Sequence, residues 1–226
     1  NAYSNSVDAD ISFECLGTKC NIGQTEDGSL SAPIPQCMNG YLTARADGYE
    51  LGRYLYNSID SGSANIILNK LHEINVDLKL DGKQYGGNAI INFISNRSSR
   101  SISYPEQKSV ELSEGEYEIS VYIYSKGNLK INSMVTEQCV EVPRSGLLGI
   151  AGLTKKKCFD IEMPEQLISD VLAGGGKQKD YFLESQLENS NTIEIDANSI
   201  AVPETIEDLQ TSYVIFDSNG LEVRFK

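Results

Sequence analysis

The chain has 226 residues, of which 40% are hydrophobic, and its formal net charge is −13. This length and composition provide enough apolar side chains for a substantial core and exclude wholesale disorder. The acidic balance argues against nucleic acid or an anionic membrane surface as the main partner, because both require a basic protein surface.

Apolar and polar residues alternate with a period of two along much of the chain, which predicts half-buried β-strands. The segments that alternate in this way are 76–80, 117–123, 129–131, 193–195 and 221–225. Two runs that are apolar with little alternation, 89–94 and 213–216, predict central strands. Asn219-Gly220 predicts a hairpin between 213–217 and 221–226. Many short strands at this spacing indicate β-sandwich architecture.

Helices are predicted only in the C-terminal part. Segment 165–173 follows Pro164 and carries an apolar stripe at helical spacing, and three glycines at 174–176 would end it. Pro203 predicts the start of a second short helix over 204–210. Segment 174–180 predicts a flexible loop. Its glycines are not a phosphate-binding loop, since they follow a helix and lack the required spacing.

Five cysteines divide into a local triplet and a distant pair. They could be buried thiols of a cytosolic protein, but an oxidised extracellular chain is the preferred interpretation. In that case Cys139 pairs with Cys158 and Cys20 with Cys37, which leaves Cys15 as a free or interchain thiol. A Cys15–Cys37 bond is the alternative within the triplet.

Three other features indicate where the protein is located. The chain begins at Asn1 instead of methionine, which suggests a mature or excised fragment. It contains no apolar run of the length that spans a membrane. One glycosylation sequon begins at Asn96, in a polar stretch typical of a loop. An extracellular or cell-surface location is therefore expected.

The first half carries a recurrent pattern of turns and tyrosines. It comprises Thr25-x-x-Gly28, then Gly40-Tyr41-x-x-Ala44, then Gly48-Tyr49. This pattern resembles carboxypeptidase-regulatory-like domains, which are transthyretin-like β-sandwiches. The second half, with Val110-x-Leu112-x-x-Gly115-x-Tyr117, resembles the related PEGA type.

The resemblance implies two tandem Ig-like or transthyretin-like sandwich domains in a mainly β protein, with one or two short helices in the C-terminal part. The first domain would be 1–70. The second would be 71–226, with a disulfide-closed loop at 139–158 and a C-terminal helix and hairpin extension. Domains of both types are usually non-enzymatic spacers or binding modules of cell-surface proteins.

The segment 146–153, between Cys139 and Cys158, is apolar and is followed by three lysines at 155–157. Exposed apolar patches usually mark an interaction. Four residues would form the partner contact: Leu147, Leu148, Ile150 and Leu153. Two other interpretations stay open, namely that the loop folds back as core over an open sandwich end, or that it inserts into a membrane.

No catalytic or metal-binding constellation stands out, and no cofactor is expected. Asp8, Asp10 and Glu14 would share a strand face and could bind calcium, but an ordinary solvated strand face is the preferred interpretation. His72, the single histidine, is expected to be a linker residue. Tyrosines at 104, 117, 122 and 124 could form an outward strip that contacts a glycan, against the alternative of ordinary cross-strand packing.

The sequence therefore favours a non-enzymatic extracellular protein that acts through subunit contacts, as a segment of an S-layer, filament or adhesin. Its partners would be further copies of itself or neighbouring surface proteins. The alternative is a carbohydrate- or protein-binding accessory module of a larger secreted protein. A secreted hydrolase with an unrecognised site is the third hypothesis.

Overall fold

The computed structural model describes residues 5–131, 133–143 and 154–226. Within them the chain is mainly β, as predicted, with two helices in the C-terminal part. The strands are β1 (Asp10–Cys15), β2 (Thr18–Gln24), β3 (Gly40–Arg45), β4 (Gly52–Tyr56), β5 (His72–Leu80), β6 (Lys83–Gln84), β7 (Ala89–Ile94), β8 (Ser99–Tyr104), β9 (Ser109–Leu112), β10 (Gly115–Ile131), β11 (Met134–Pro143), β12 (Thr154–Met163), β13 (Gln166–Phe182), β14 (Thr192–Ala197) and β15 (Glu222–Phe225). The helices are α1 (Glu184–Asn189) and α2 (Ile206–Ser218).

The N-terminal residues form a four-stranded antiparallel sheet in the order β2-β1-β3-β4. Its small core centres on Phe13, Cys37 and Leu42, with half-buried aliphatic side chains around them. Two segments without regular structure, near 30–38 and 57–69, supply part of this core.

The remainder of the chain builds two further sheets that enclose the main core. One sheet has the order β13-β10-β7-β8, and the other has the order β15-β14-β5-β6, with β9 also paired to β5. The β14–β5 pair is parallel, and the other pairs of these sheets are antiparallel. Alternate residues of β5, β10 and β14 point inward, so the predicted alternation of these strands is confirmed. β7, predicted as a central strand, lies between β10 and β8.

The predicted helix over 165–173 is wrong, because these residues belong largely to β13. The predicted loop over 174–180 is also wrong, since it continues the same strand, with the three glycines at 174–176 buried. Gly175 has φ +122°, and a Cβ there would lie 1.8 Å from the Val121 carbonyl oxygen. A Cβ on Gly176 would lie 2.5 Å from the carbonyl oxygen of Asn219. The glycines therefore permit close approach of neighbouring chain segments.

The run at 213–216 lies in α2, so the predicted central strand and the hairpin at Asn219-Gly220 are wrong. A capping box begins this helix: Thr205 Oγ1 accepts from the Asp208 amide, and the Asp208 carboxylate accepts from the Thr205 amide. Phe216 is buried and stacks on Tyr122, with ring centroids 4.4 Å apart. The helix thus covers the outer face of β10 and β13.

The N-terminal sheet joins the rest of the chain through a polar contact near residue 70. The Glu50 amide donates to the Asn69 carbonyl at 2.8 Å. The buried Glu50 carboxylate accepts from Ser113 Oγ at 3.0 Å and lies 3.4 Å from Arg97 Nε. These contacts position the two core regions relative to each other close to the predicted boundary at 70–71.

Candidate interaction surface

The strands β10 and β13 run on beyond the sandwich as a two-stranded ribbon. Leu129–Ile131 pair with 166–168, and β11 pairs with β12 in the same register, with Cys139 opposite Cys158. The second ladder therefore continues the register of the first, with an interruption at Pro164 and Glu165 on one strand. We call residues 129–143 and 154–168 the arm. At ~3.3 Å per residue the arm is about 50 Å long.

The arm is exposed over almost its whole length. Leu129, at its base, is fully buried. All other described side chains of the arm are exposed or half-exposed, and none belongs to a hydrophobic core cluster. Isolated two-stranded ribbons are at best marginally stable in water. Something other than a core must therefore hold this one together.

A disulfide between Cys139 and Cys158 supplies part of that stabilisation, and this predicted bond is confirmed. It joins residues directly opposite each other in the ladder. The sequence separation is 19 residues. Closing a loop of that size lowers the conformational entropy of the unfolded chain, which stabilises the folded state by about 3 kcal/mol. The predicted contact residues Leu147, Leu148, Ile150 and Leu153 lie outside the described residues.

The two faces of the arm differ in chemistry. Successive residues of a strand point to opposite sides, so the register assigns each side chain to a face. The apolar face carries four apolar side chains, Val140, Val142, Phe159 and Ile161, together with Thr136, Gln138, Lys155 and Lys157. The disulfide face carries Val135, Glu137, Cys139, Glu141, Lys156, Cys158, Asp160 and Glu162.

The apolar face leaves large side chains in water. Val140 is 43% exposed, Phe159 47% and Ile161 45%. The Lys157 ammonium lies 4.8 Å from the centroid of the Phe159 ring, which places a cation at the edge of this strip. Apolar side chains exposed together on one face, beside a cation, are typical of a contact surface.

The disulfide face is less suited to packing. Glu137 and Asp160 are directly opposite each other, and like charges in that position are unfavourable. Glu137 also lies within 4.8 Å of the two cysteine sulfurs, which together are the one potential metal-ligand group found among the described residues. Because both sulfurs are bonded to each other, they cannot act as thiolate ligands.

The predicted Cys20–Cys37 bond is wrong. Cys15 bonds to Cys37, and Cys20 is the free thiol, half-exposed on β2. The strand order explains this choice: β1 is the neighbour of β3, whereas β2 lies one strand further away. Cys37 precedes β3 and thus lies closer to Cys15.

The remaining candidate residues are separated in space and in role. Asn96 is exposed in the turn after β7. Asp8 Oδ1 accepts from the Gly28 amide at 3.0 Å, and Glu14 lies 4.0 Å from the Arg53 guanidinium, so these two of the three candidate calcium ligands have structural partners. His72 Nε2 lies 2.9 Å from Glu184 Oε1, which ties the start of β5 to α1.

The tyrosines do not form an outward strip. Tyr104 and Tyr117 are buried, and Tyr122 stacks on Phe216. These three tyrosines therefore pack within the protein, and they are not available for the glycan contact that the sequence suggested.

A cavity of about 430 Å³ lies against one face of the N-terminal sheet. Aliphatic side chains of β1, β2 and β3 line it, together with side chains of the segments around 30–34 and 62–68. Polar side chains, among them those of Thr25, Ser63 and Asn65, also line it. No charged side chain lines it.

Comparison of the chain with protein-family models, with curated proteins and with solved structures yielded no match. Among the described residues, no helix has the length and apolar character needed to cross a membrane. The two disulfides suggest an oxidising, extracellular environment.

Proposed function

We propose that this chain is a non-enzymatic structural segment of an extracellular cell-surface protein, such as an S-layer, filament or adhesin subunit, and that it acts through contacts between subunits. The observation that carries this proposal is the arm. It extends about 50 Å, its described residues beyond Leu129 belong to no hydrophobic core, and it presents exposed apolar side chains on one face.

The physical argument concerns what such a ribbon can do by itself. Two strands without a third partner bury little apolar surface, so they contribute little to folding of the sandwich. They also leave two unpaired strand edges, which attract other chains. A disulfide that keeps this ribbon in one shape reduces the conformational entropy lost when a neighbour binds to it.

The location follows from the same chemistry. Disulfides form and persist outside the cytosol, and this chain has one in each of its two main regions. The resemblance of the two halves to carboxypeptidase-regulatory-like and PEGA domains also supports a cell-surface segment. Exposed Asn96 would then be available for glycosylation.

The aliphatic cavity of the N-terminal sheet favours a second candidate function, an accessory module that binds an apolar segment of another protein. Such a module would remain a monomer and gain thermal stability when the ligand is added.

The test compares the full chain with an arm-shortened variant, in which residues 132–165 are replaced by an Asn-Gly turn that joins Ile131 to Gln166. Light scattering over a wide concentration range gives the mass of each. We expect the full chain to self-associate and the variant to remain monomeric with the same thermal transition. A full chain that stays monomeric at the highest concentration, or a variant that still associates, would overturn the proposal.

A further inference from the structure

We propose that Asn96 carries an asparagine-linked glycan and that the first sugars of this glycan lie in a concave surface beside it, against Tyr181. This inference rests on the extracellular location in the proposed function and adds a ligand site that does not involve the arm. Three observations support it: the position of Asn96 in its turn, the chemistry of the neighbouring surface, and the distance from Asn96 to Tyr181.

The turn between β7 and β8 presents Asn96 at one end of the sandwich. Ser95 closes this turn, since its Oγ accepts from the amides of Arg97 and Ser98 at 3.2 and 2.9 Å. Arg97 is held from the other side, because its Nη2 donates to the Glu114 carbonyl at 2.9 Å. Asn96 lies between these two anchored residues and is exposed. It is the acceptor position of the sequon Asn96-Arg97-Ser98.

A concave surface of about 550 Å³ is lined by Asn96 itself and extends over the outer face of the sheet formed by β7, β10 and β13. The strand register arranges its floor in two rows of side chains. Ile94, Glu118 and Lys179 form one row, and Glu116 and Tyr181 form the next, nearer the turn. The glycan attachment point and the floor of the surface are therefore continuous.

This floor combines apolar surface with polar groups. Tyr181 is 52% exposed and Ile94 is 45% exposed, so an aromatic ring and an aliphatic side chain lie in water here. Lys179 Nζ lies 3.7 Å from Glu118 Oε2, and these two groups, together with Glu116, offer a donor and acceptors for hydroxyl groups. A sugar ring has an apolar C–H face and hydroxyl groups at its edge, so its two parts match the two kinds of side chain.

The distance from Asn96 to Tyr181 fits a short glycan. Asn96 follows β7, and Tyr181 belongs to β13, with β10 between these two strands. Two strand spacings amount to about 10 Å. Two sugars linked in a chain cover that distance, so the second sugar of a glycan on Asn96 reaches the Tyr181 ring.

The covalent link to Asn96 determines which occupant such an open surface holds. A free sugar would bind weakly, because few contacts offset its loss of translational and rotational freedom. A glycan attached to the wall of the surface is present at an effective concentration of roughly millimolar or above. Weak contacts are sufficient for this occupant, and a sugar or peptide from solution has no such advantage.

The attachment requires a lipid-linked oligosaccharide as the sugar donor. The Asn96 side-chain nitrogen forms a bond to C1 of the first sugar, and the bond between C1 and the lipid phosphate oxygen breaks. The phosphate leaves with that electron pair, and the amide nitrogen loses one proton. No electron is transferred, so the step needs no oxidant.

The glycan site lies at the opposite end of β10 from the arm. β10 begins at Gly115, beside the site, and enters the arm at Leu129. A glycan on Asn96 therefore covers Ile94 and Tyr181 and leaves the arm free for the contacts of the proposed function.

The main test measures the stabilisation that the glycan provides. The full chain and Asn96→Gln are secreted from a eukaryotic host, and mass spectrometry gives the occupancy of Asn96. We expect an occupied Asn96 and a thermal transition about 2–4 °C above that of Asn96→Gln. Tyr181→Ala should remove most of this difference, because the second sugar then lacks the ring on which it packs.

Tyr213→Ala is the matched control. Tyr213 is 48% exposed, on α2, and does not line the concave surface. Its replacement should leave the glycan-dependent difference intact, whatever its effect on the stability of the chain itself. Equal losses in Tyr181→Ala and Tyr213→Ala, no loss in Tyr181→Ala, or an unoccupied Asn96 in the secreted chain would overturn the inference.

Trimming by an endoglycosidase gives a second readout that does not depend on stability. This enzyme cleaves between the first two sugars and needs access to the bond that joins them. The folded chain should be trimmed several times more slowly than Tyr181→Ala, and the two should be trimmed equally after denaturation. Equal rates in the folded state would show that the sugars extend into solvent and would contradict the proposed contact.

These outcomes separate the two proposals. If the effect of the glycan does not depend on Tyr181 while the full chain associates through its arm, the glycan site is wrong and the proposed function stands. If the chain never associates but Tyr181→Ala removes the effect of the glycan, the structural role fails and the glycan site stands.

Discussion

The sandwich and the arm share the same two strands, and they differ in what surrounds those strands. In the inner part of β10, Ile119, Val121 and Ile123 are buried against the facing sheet. In the outer part β10 continues with β11 into the arm, where the equivalent alternation leaves side chains in water. Regular strand pairing therefore persists about 50 Å beyond the core that stabilises it.

This difference shows that hydrogen-bonded register and thermodynamic stability have separate origins here. The sandwich derives its stability from apolar burial on the inner faces of two sheets. The arm has the ladder without the burial, and a covalent bond takes the place of a core. Changes in the sandwich should consequently affect folding, and changes in the arm should affect association.

The largest contrast is expected between two phenylalanines. Phe182 is fully buried between Tyr117 and Phe225, with ring centroids 5.1 Å and 4.9 Å away. Phe182→Ala should lower the free energy of unfolding by about 3–5 kcal/mol through lost contacts and a cavity. Phe159→Ala should change it by less than about 0.5 kcal/mol, because that ring is already half in water.

Chemical denaturation monitored by circular dichroism measures the free energy of unfolding of both variants. The protein concentration is kept below the range in which the chain self-associates. An equal loss of stability in the two would contradict the distinction between sandwich and arm. It would mean that the arm packs on a core that the described residues do not show.

The two disulfides give the next contrast. Their sequence separations are 22 and 19 residues, so loop closure alone favours each by about 3 kcal/mol. Replacing Cys15 and Cys37 by serine should lower the stability of the N-terminal region by about that amount. Replacing Cys139 and Cys158 by serine should leave the stability of the sandwich unchanged, and the amide hydrogens of the arm should lose their protection from exchange with solvent.

Amide hydrogen exchange, resolved by region, tests this prediction. Every variant also carries Cys20→Ser, so that the free thiol cannot rearrange the disulfides. Loss of protection in the sandwich strands after removal of the arm disulfide would show that the two regions unfold as one unit.

The smallest expected effect is a pH dependence confined to the sandwich. Glu194 is almost fully buried and bonds to Lys226 and, at 2.8 Å, to Lys79. These ammonium groups, Lys226 foremost, lower the pKa of Glu194 from 4.5 to about 2. Because the folded pKa lies below the unfolded value, this stabilisation is complete above pH 4.5 and is lost as the pH falls toward 2.

Glu194→Gln should therefore flatten the dependence of sandwich stability on pH within that window, and Lys226→Gln should do so in part. Unfolding midpoints measured at intervals from neutral pH to pH 2 test it. The arm disulfide, which does not titrate, should persist throughout. An unchanged slope in Glu194→Gln would show that other carboxylates dominate acid unfolding.

Alternation along the sequence was a reliable guide wherever one face of a strand is buried. Segments 76–80, 117–123 and 193–195 lie in β5, β10 and β14 as predicted. The bond between Cys139 and Cys158 was also predictable, since both cysteines lie in one antiparallel ladder with their loop between them. The mainly β class and the scarcity of helix follow from the same local pattern.

Tertiary structure decided the features that local patterns describe poorly. The apolar stripe at 167–172 fits a helix, but pairing with β10 makes it a strand. The glycines at 174–176 suggest a loop, yet they are buried because the backbones near Val121 and Asn219 approach too closely for any side chain. The run at 213–216 is helical because the Thr205 cap begins α2 and Phe216 packs on Tyr122.

The sequence by itself therefore determined that the chain is a β protein with a cross-linked apolar segment near residue 150. Only the tertiary structure decided that Cys15, and not Cys20, bonds to Cys37, and that an exposed arm surrounds the second disulfide. The physical reason is that periodicity records which side of a strand is apolar. It does not record whether a second sheet, a helix or only water lies against that side.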